Sequence, residues 1–119
     1  MPDIIIPEFM DEAAVASLSA RHDTLYDPGL VDQPERLIGL IGGARALIVR
    51  NRTQVRGALL DAGEKLEVVG RLGVGLDNID VAACAARRLP VIPATGANDL
   101  AVAEWVIAST LMLLRGAYH

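Results

Sequence analysis

The sequence predicts an α/β fold: a doubly wound parallel sheet of five strands with helices between them. Three observations carry that expectation. Short aliphatic runs alternate with segments of helical spacing along the chain, the pattern of repeated βα units. The first run, Asp3-Ile4-Ile5-Ile6, is apolar at consecutive rather than alternate positions, as a strand buried on both faces requires. The chain has 119 residues, 52% hydrophobic and 22% charged, which excludes intrinsic disorder and suits one domain with a true core.

Taken in order, residues 3–6 form the first strand. Residues 11–20 follow as a helix, with Asp11 able to cap its N-terminus and Ala14, Val15 and Leu18 forming its apolar stripe. Residues 24–26 make a weaker second strand that stops at the turn signal Asp27-Pro28-Gly29. Residues 34–41 read as a helix closed by Gly42-Gly43. The third strand covers 46–49, a short helix covers 55–60 and ends by Gly63, and the fourth strand covers 66–72. Asp80 caps a helix over 81–88, residues 90–92 form the fifth strand, and a final helix starts near Asp99. Five strands and five helices in alternation fit a flavodoxin-like sheet, with order 2-1-3-4-5 favoured over a half-Rossmann order.

The last helix departs from the pattern. Across residues 100–114 it is apolar on nearly every side, through Val102, Trp105, Val106, Leu111, Met112 and Leu113. A helix that is hydrophobic all round must be buried all round, and an edge helix covers only one sheet face. Its outer side therefore calls for another domain or subunit. The expected organisation is a domain over residues 1–98 and an interdomain helix over 99–119, with the chain a fragment of something longer.

Composition narrows the function classes. Eleven basic against fifteen acidic residues leave a net charge of −4, with no concentrated basic face for a phosphate backbone. The aromatic residues, Phe9, Tyr26, Trp105 and Tyr118, are too sparse for base-stacking platforms. Cys84 is the single cysteine, which excludes an intramolecular disulfide and a multi-cysteine metal site and fits a reducing, cytoplasmic setting. Met1-Pro2-Asp3 lacks the basic start of a signal peptide. The apolar stretch over 100–114, interrupted by Glu104 and Ser109-Thr110, falls short of the ~20 residues that span a bilayer. Neither nucleic acid nor membrane is an expected partner.

Neither Gly-x-Gly-x-x-Gly nor a P-loop pattern occurs, so no dinucleotide or phosphate cradle is encoded. Gly73-Val74-Gly75 begins the former, but Asn78 stands where its third glycine would be. Two readings stay open: a tight βα turn, or backbone N–H groups opened toward an anion. His22, His119, Ser109 and Cys84 make no credible triad. Arg50-Asn51-Arg52-Thr53 directly follows the third strand and so lies at the carboxyl end of a parallel strand, where open α/β sheets bind ligands. Its two arginines could clamp a small carboxylate or phosphate, or the segment could be a solvated basic turn. The loops after the third, fourth and fifth strands (50–53, 73–75 and 94–98) converge on one rim.

The ordered set Gly70-Arg71-Leu72-Gly73-Val74-Gly75-Leu76-Asp77-Asn78-Ile79-Asp80, Ala82-Ala83, Pro90-Val91, Gly96-Ala97-Asn98 and Val102-Ala103-Glu104 resembles the D-isomer-specific 2-hydroxyacid dehydrogenases. That family includes phosphoglycerate, glyoxylate/hydroxypyruvate, formate and D-lactate dehydrogenases. The resemblance is specific over residues 46–115 and extends over 1–45 only in strand–helix pattern. It implies that the chain is the family's N-terminal catalytic, or substrate-binding, domain, ending in the helix that crosses to a nucleotide-binding domain. It further implies an NAD- or NADP-dependent hydride transfer with a 2-hydroxy or 2-oxo acid, and a homodimer when complete.

At matching positions the resemblance implies that Arg50 faces the substrate acid from the Arg50-Asn51-Arg52 turn. Backbone amides at Val74 and Gly75, in the loop opened by Gly73, would bind the 2-oxoacid carboxylate. Val74 would touch the nicotinamide, Asn98 and Val102 would line the cofactor cleft, and Glu104 would fix a helix start. The family's dinucleotide glycines and its catalytic arginine, acid and histidine have no counterpart here, so this polypeptide is expected to bind no cofactor tightly, to catalyse nothing alone, and to hold no metal. The alternative is a stand-alone flavodoxin-like binding or interaction module. Against it, Ile6-Pro7-Glu8 lacks the paired acids of a receiver domain, and no glycine-rich loop suits a flavin phosphate.

Overall fold

The computed structural model describes residues 2–93. Five strands, β1 (Ile4–Ile6), β2 (Thr24–Tyr26), β3 (Ala46–Val49), β4 (Val68–Arg71) and β5 (Val91–Pro93), form one sheet in the order β2-β1-β3-β4-β5. Every pairing is parallel, with Ile4 opposite both Thr24 and Ala46, Ala46 opposite Val68, and Val69 opposite Val91. Four α-helices alternate with the strands: α1 (Glu12–Ser19), α2 (Pro34–Leu40), α3 (Ala58–Ala62) and α4 (Val81–Ala86). The expected fold class and strand order are those of the structure. The expected helix from Asp99 onward, and the loop over 94–98, lie outside the described residues.

The strand side chains explain the layers. Ile4 and Ile6 join Ala46, Ile48 and Val68 on the face covered by Ala14 and Leu18 of α1. Ile5, Leu47, Val49 and Val69 point to the opposite face, against Leu37 of α2, Leu59 and Leu60 of α3 and Cys84 of α4. Because successive strand residues alternate faces and both faces are covered, all three isoleucines of β1 are buried. Each such side chain contributes about 1.5–3 kcal/mol of burial.

Local chemistry sets several helix ends. Asp11 accepts from the N–H groups of Ala13 (3.1 Å) and Ala14 (3.3 Å), and Asp80 accepts from Ala83 N–H at 3.0 Å, so both expected caps are present. After α4, Leu89 N–H reaches Cys84 C=O and Arg88 N–H reaches Ala85 C=O, with Arg88 in the left-handed region at φ 56°.

Two stretches differ from expectation. The turn at Asp27-Pro28-Gly29 continues into a 3-10 helix over Pro28–Asp32, started by the Asp27 carboxylate on Gly29 N–H. The helix expected from Val55 begins only at Ala58. Val55 instead forms a parallel bridge with Ile79, donating to Asn78 C=O and accepting from Asp80 N–H, which satisfies its backbone outside any helix.

This strand order creates a switch point between β1 and β3. The chain leaves β1 through α1 to one face of the sheet and leaves β3 through α3 to the other. The two connections part at the carboxyl ends of neighbouring strands, and a crevice opens between them.

Candidate functional site at the carboxyl rim of the sheet

The crevice is a shallow depression of about 240 Å³ lined by Glu8, Phe9, Pro28, Val31, Arg50, Asn51 and Arg52. Its floor is the turn over residues 50–53. Glu8, only 4% exposed, accepts three backbone hydrogen bonds from that turn: Oε2 from Arg50 (2.8 Å) and Thr53 (3.1 Å), and Oε1 from Arg52 (3.0 Å). Asn78, also 4% exposed, grips the turn by its other backbone groups, its Nδ2 donating to Arg50 C=O (3.0 Å) and Thr53 C=O (2.9 Å). A buried carboxylate offset by three N–H donors is a stable arrangement, since an unpaired one would be costly.

The side chains of the turn diverge. The half-buried Arg50 guanidinium lies 5.9 Å from the centre of the exposed Phe9 ring. Asn51 is exposed, and Arg52 turns away to pair with Asp32 on the surface. The two arginines are therefore held by different neighbours.

The last residue of the neighbouring strand β4 is a third arginine, of different character. Arg71 is 9% exposed, and its Nε has no hydrogen-bond partner among the described residues. Its guanidinium lies against Gly73, where a Cβ would sit 2.2 Å from Nη1 and 2.9 Å from Cζ. This close approach gives Gly73 a packing reason for lacking a side chain. Burial holds the Arg71 pKa below the ordinary arginine value, Glu8 and Asp77 pull it up, and Arg50 pushes it down. The guanidinium remains a cation at neutral pH. Gly73 N–H turns back to Arg71 C=O at 2.8 Å, whereas the exposed Val74 and Gly75 show no backbone hydrogen bond among the described residues.

The structure thus brings Arg50, Asn51, Gly73, Val74 and Gly75 to one rim and directs Arg52 outward. Asn98 and Val102 lie outside the described residues. Sequence reasoning missed Glu8, Asn78 and Arg71 as members of this site. Glu8 had a signal, an acid two residues past the end of an apolar strand. Asn78 and Arg71 were visible only as letters within the longer motif. Cys84 is buried, and that burial raises its thiol pKa, as a packing role requires.

Comparison with known proteins agrees with this fold. The family described as D-isomer specific 2-hydroxyacid dehydrogenase, catalytic domain, matches residues 4–116. An (S)-sulfolactate dehydrogenase of Chromohalobacter salexigens is 54% identical over 118 residues, covering 99% of this chain and 38% of that protein. A D-3-phosphoglycerate dehydrogenase of Mycobacterium leprae is 36% identical over 117 residues, covering 97% of this chain and 21% of its own length. Among solved structures, the PH0520 protein of Pyrococcus horikoshii superposes with a TM-score of 0.72 at 26% identity, over 81% of this chain and 28% of that one. The NAD+-bound 3-phosphoglycerate dehydrogenase of Entamoeba histolytica gives 0.62 at 28% identity, over 74% and 31%. The chain spans well under half the length of each of these proteins. From the match over residues 4–116, the chain belongs to the D-isomer specific 2-hydroxyacid dehydrogenase family, as its catalytic domain.

Proposed function

We propose that this chain is the substrate-binding domain of an NAD(P)-dependent dehydrogenase of 2-hydroxy acids whose substrates carry a second oxyanion beside the carboxylate. The observation that carries this reading is the placement of Arg50 and the buried Arg71, close enough for their charges to repel, beside the exposed Val74–Gly75 backbone at the carboxyl rim of the sheet. A cation with an orphaned buried Nε favours an anion brought to it, because the cost of its desolvation has already been met in the fold. The relatives named for sulfolactate and 3-phosphoglycerate support the same class, since each substrate pairs a 2-hydroxy acid with a sulfonate or phosphate.

In this reading the amides of Val74 and Gly75 hold the carboxylate, Arg50 neutralises it, and Arg71 takes the second anion. Asn51 and Arg52 border the entrance, and Gly73 leaves room for the Arg71 guanidinium. The chain has no dinucleotide cradle, so its share in cofactor binding is a contact surface, with Val74 at 66% exposure the described part of it and Asn98 and Val102 its extension. The nicotinamide, when bound, supplies the hydride acceptor or donor. The acid–base pair and the cradle belong to a second domain of the same polypeptide, reached through residues 99–119, in a cytoplasmic homodimer. Residues 1–119 alone turn over nothing.

The test is steady-state kinetics of the full-length polypeptide with NAD+ and NADP+ on sulfolactate, 3-phosphoglycerate, lactate and glycerate. The expected result is at least about tenfold higher kcat/KM for an acid with a second anion, the worth of one charge-assisted hydrogen bond. Arg50→Ala lowers it about 10- to 100-fold. Equal use of singly and doubly charged acids would overturn the substrate class, and no turnover of any 2-hydroxy acid would overturn the activity.

A further inference from the structure

We propose that Glu8 and Asn78 are positioning residues for acid recognition, acting through Arg50. The proposal rests on the reading of Arg50 as the group that meets the substrate acid. The juxtaposition behind it is specific. The N–H of Arg50 is held by Glu8 Oε2 at 2.8 Å, and its C=O is held by Asn78 Nδ2 at 3.0 Å. Both backbone polar groups of this one residue are therefore taken by buried side chains from two other loops, one after β1 and one after β4. The same two side chains hold Thr53 at both its N–H and its C=O, closing the turn at its far end.

The physical consequence concerns direction more than affinity. Four consecutive residues outside regular structure, two of them arginines, have many conformations of similar energy. Five hydrogen bonds from two buried side chains select one of them and fix the Cα–Cβ direction of Arg50. Phe9, adjacent to Glu8 in sequence, then offers its ring to the guanidinium at 5.9 Å. The loop after β1 thus orients both the backbone and the head group of Arg50, and neither Glu8 nor Asn78 needs to touch substrate. Glu8 also contributes negative charge near Arg71, which limits the mutual repulsion of the two guanidinium groups. Misplacement by about 1 Å of a group that aligns substrate costs up to about 100-fold in rate.

The experiment uses the full-length polypeptide with Glu8→Gln, Asn78→Asp and Arg50→Ala, singly and with each of the first two combined with the third. Glutamine keeps the shape of glutamate but turns an amide NH2 toward backbone donors. Aspartate keeps the shape of asparagine but turns an acceptor toward backbone carbonyls. Readouts are KM and kcat for the acid substrate, the dissociation constant of NADH or NADPH by fluorescence, and the melting temperature. Glu8→Gln and Asn78→Asp each raise KM about tenfold, leave cofactor affinity within about twofold, and add nothing further in the Arg50→Ala background. If Arg50→Ala leaves KM unchanged, the reading of Arg50 falls and the proposal with it. If Arg50→Ala raises KM but Glu8→Gln and Asn78→Asp lower only the melting temperature, the positioning role alone is overturned. An equal KM rise from Glu8→Gln with and without Arg50 overturns it too, since Glu8 would then act independently. Should Glu8→Gln fail to fold, Asn78→Asp decides by the same criteria.

Discussion

Replacing Arg71 with methionine should stabilise the protein while impairing its use of doubly charged acids. Arg71 is 9% exposed and its Nε has no partner among the described residues, so the wild-type fold carries the desolvation of a polar group without a compensating bond. That cost is about 1–3 kcal/mol. Methionine retains an unbranched apolar stem able to fill the same space. Its introduction loses the attraction of Glu8 and Asp77 for the guanidinium but also removes the repulsion from Arg50. Glu8 is not orphaned, because it keeps its three backbone donors. The expected net gain is about 1–2 kcal/mol, or roughly 5–10 °C in melting temperature for a domain near this size. The assay pairs thermal unfolding followed by circular dichroism with kcat/KM on a sulfonate- or phosphate-bearing 2-hydroxy acid, which should fall at least about tenfold. A loss of more than about 1 kcal/mol of stability would refute the reasoning: Arg71 would then be a structural counter-ion of Glu8.

Three further outcomes follow from particular contacts. Gly73→Ala puts a Cβ 2.2 Å from Arg71 Nη1; because that atom ends a flexible side chain, unfolding in urea should shift by no more than about 1 kcal/mol while kcat/KM for doubly charged acids drops, and a stability loss above about 3 kcal/mol would contradict a movable guanidinium. Cys84 has its thiol pKa raised by burial, opposed by Arg87 and assisted by Asp80, so its contribution to stability is complete below the ordinary thiol range and is lost as pH rises through the raised value; urea midpoints measured from neutral to alkaline pH should fall less steeply in Cys84→Ala than in wild type. Arg88→Gly relieves a left-handed φ of 56° at the end of α4 and should raise stability by about 0.5–1 kcal/mol, an expectation that an unchanged or lower melting temperature would defeat.

Much of the architecture was legible because its causes are local. Three consecutive isoleucines can be satisfied only by a strand covered on both faces, and β1 is that strand. Asp11 and Asp80 are each within three residues of the N–H groups they cap, so their roles could be read from spacing. The rim position of Arg50, Val74 and Gly75 followed from the ends of β3 and β4, since a parallel strand has only one carboxyl end to offer. Where local signals competed with distant ones, the sequence misled: the helix expected from Val55 starts at Ala58 because Val55 pairs with the Ile79 segment instead.

The inner structure of the site was decided by tertiary folding. Glu8 finds its partners 42, 44 and 45 residues along the chain, and Asn78 finds its own 25 and 28 residues back. These groups meet because β1 and β4 both lie beside β3 in the sheet, which brings the loops after them to either side of the same turn. Arg71 became distinctive in the same way: its letter in the motif says nothing of its burial, its orphaned Nε or its contact with Gly73. Residue spacing reports which face of a helix or strand a side chain occupies. Which loops become neighbours depends on strand order, and only after that order is set do a carboxylate, an amide and an arginine acquire the partners that define what they do.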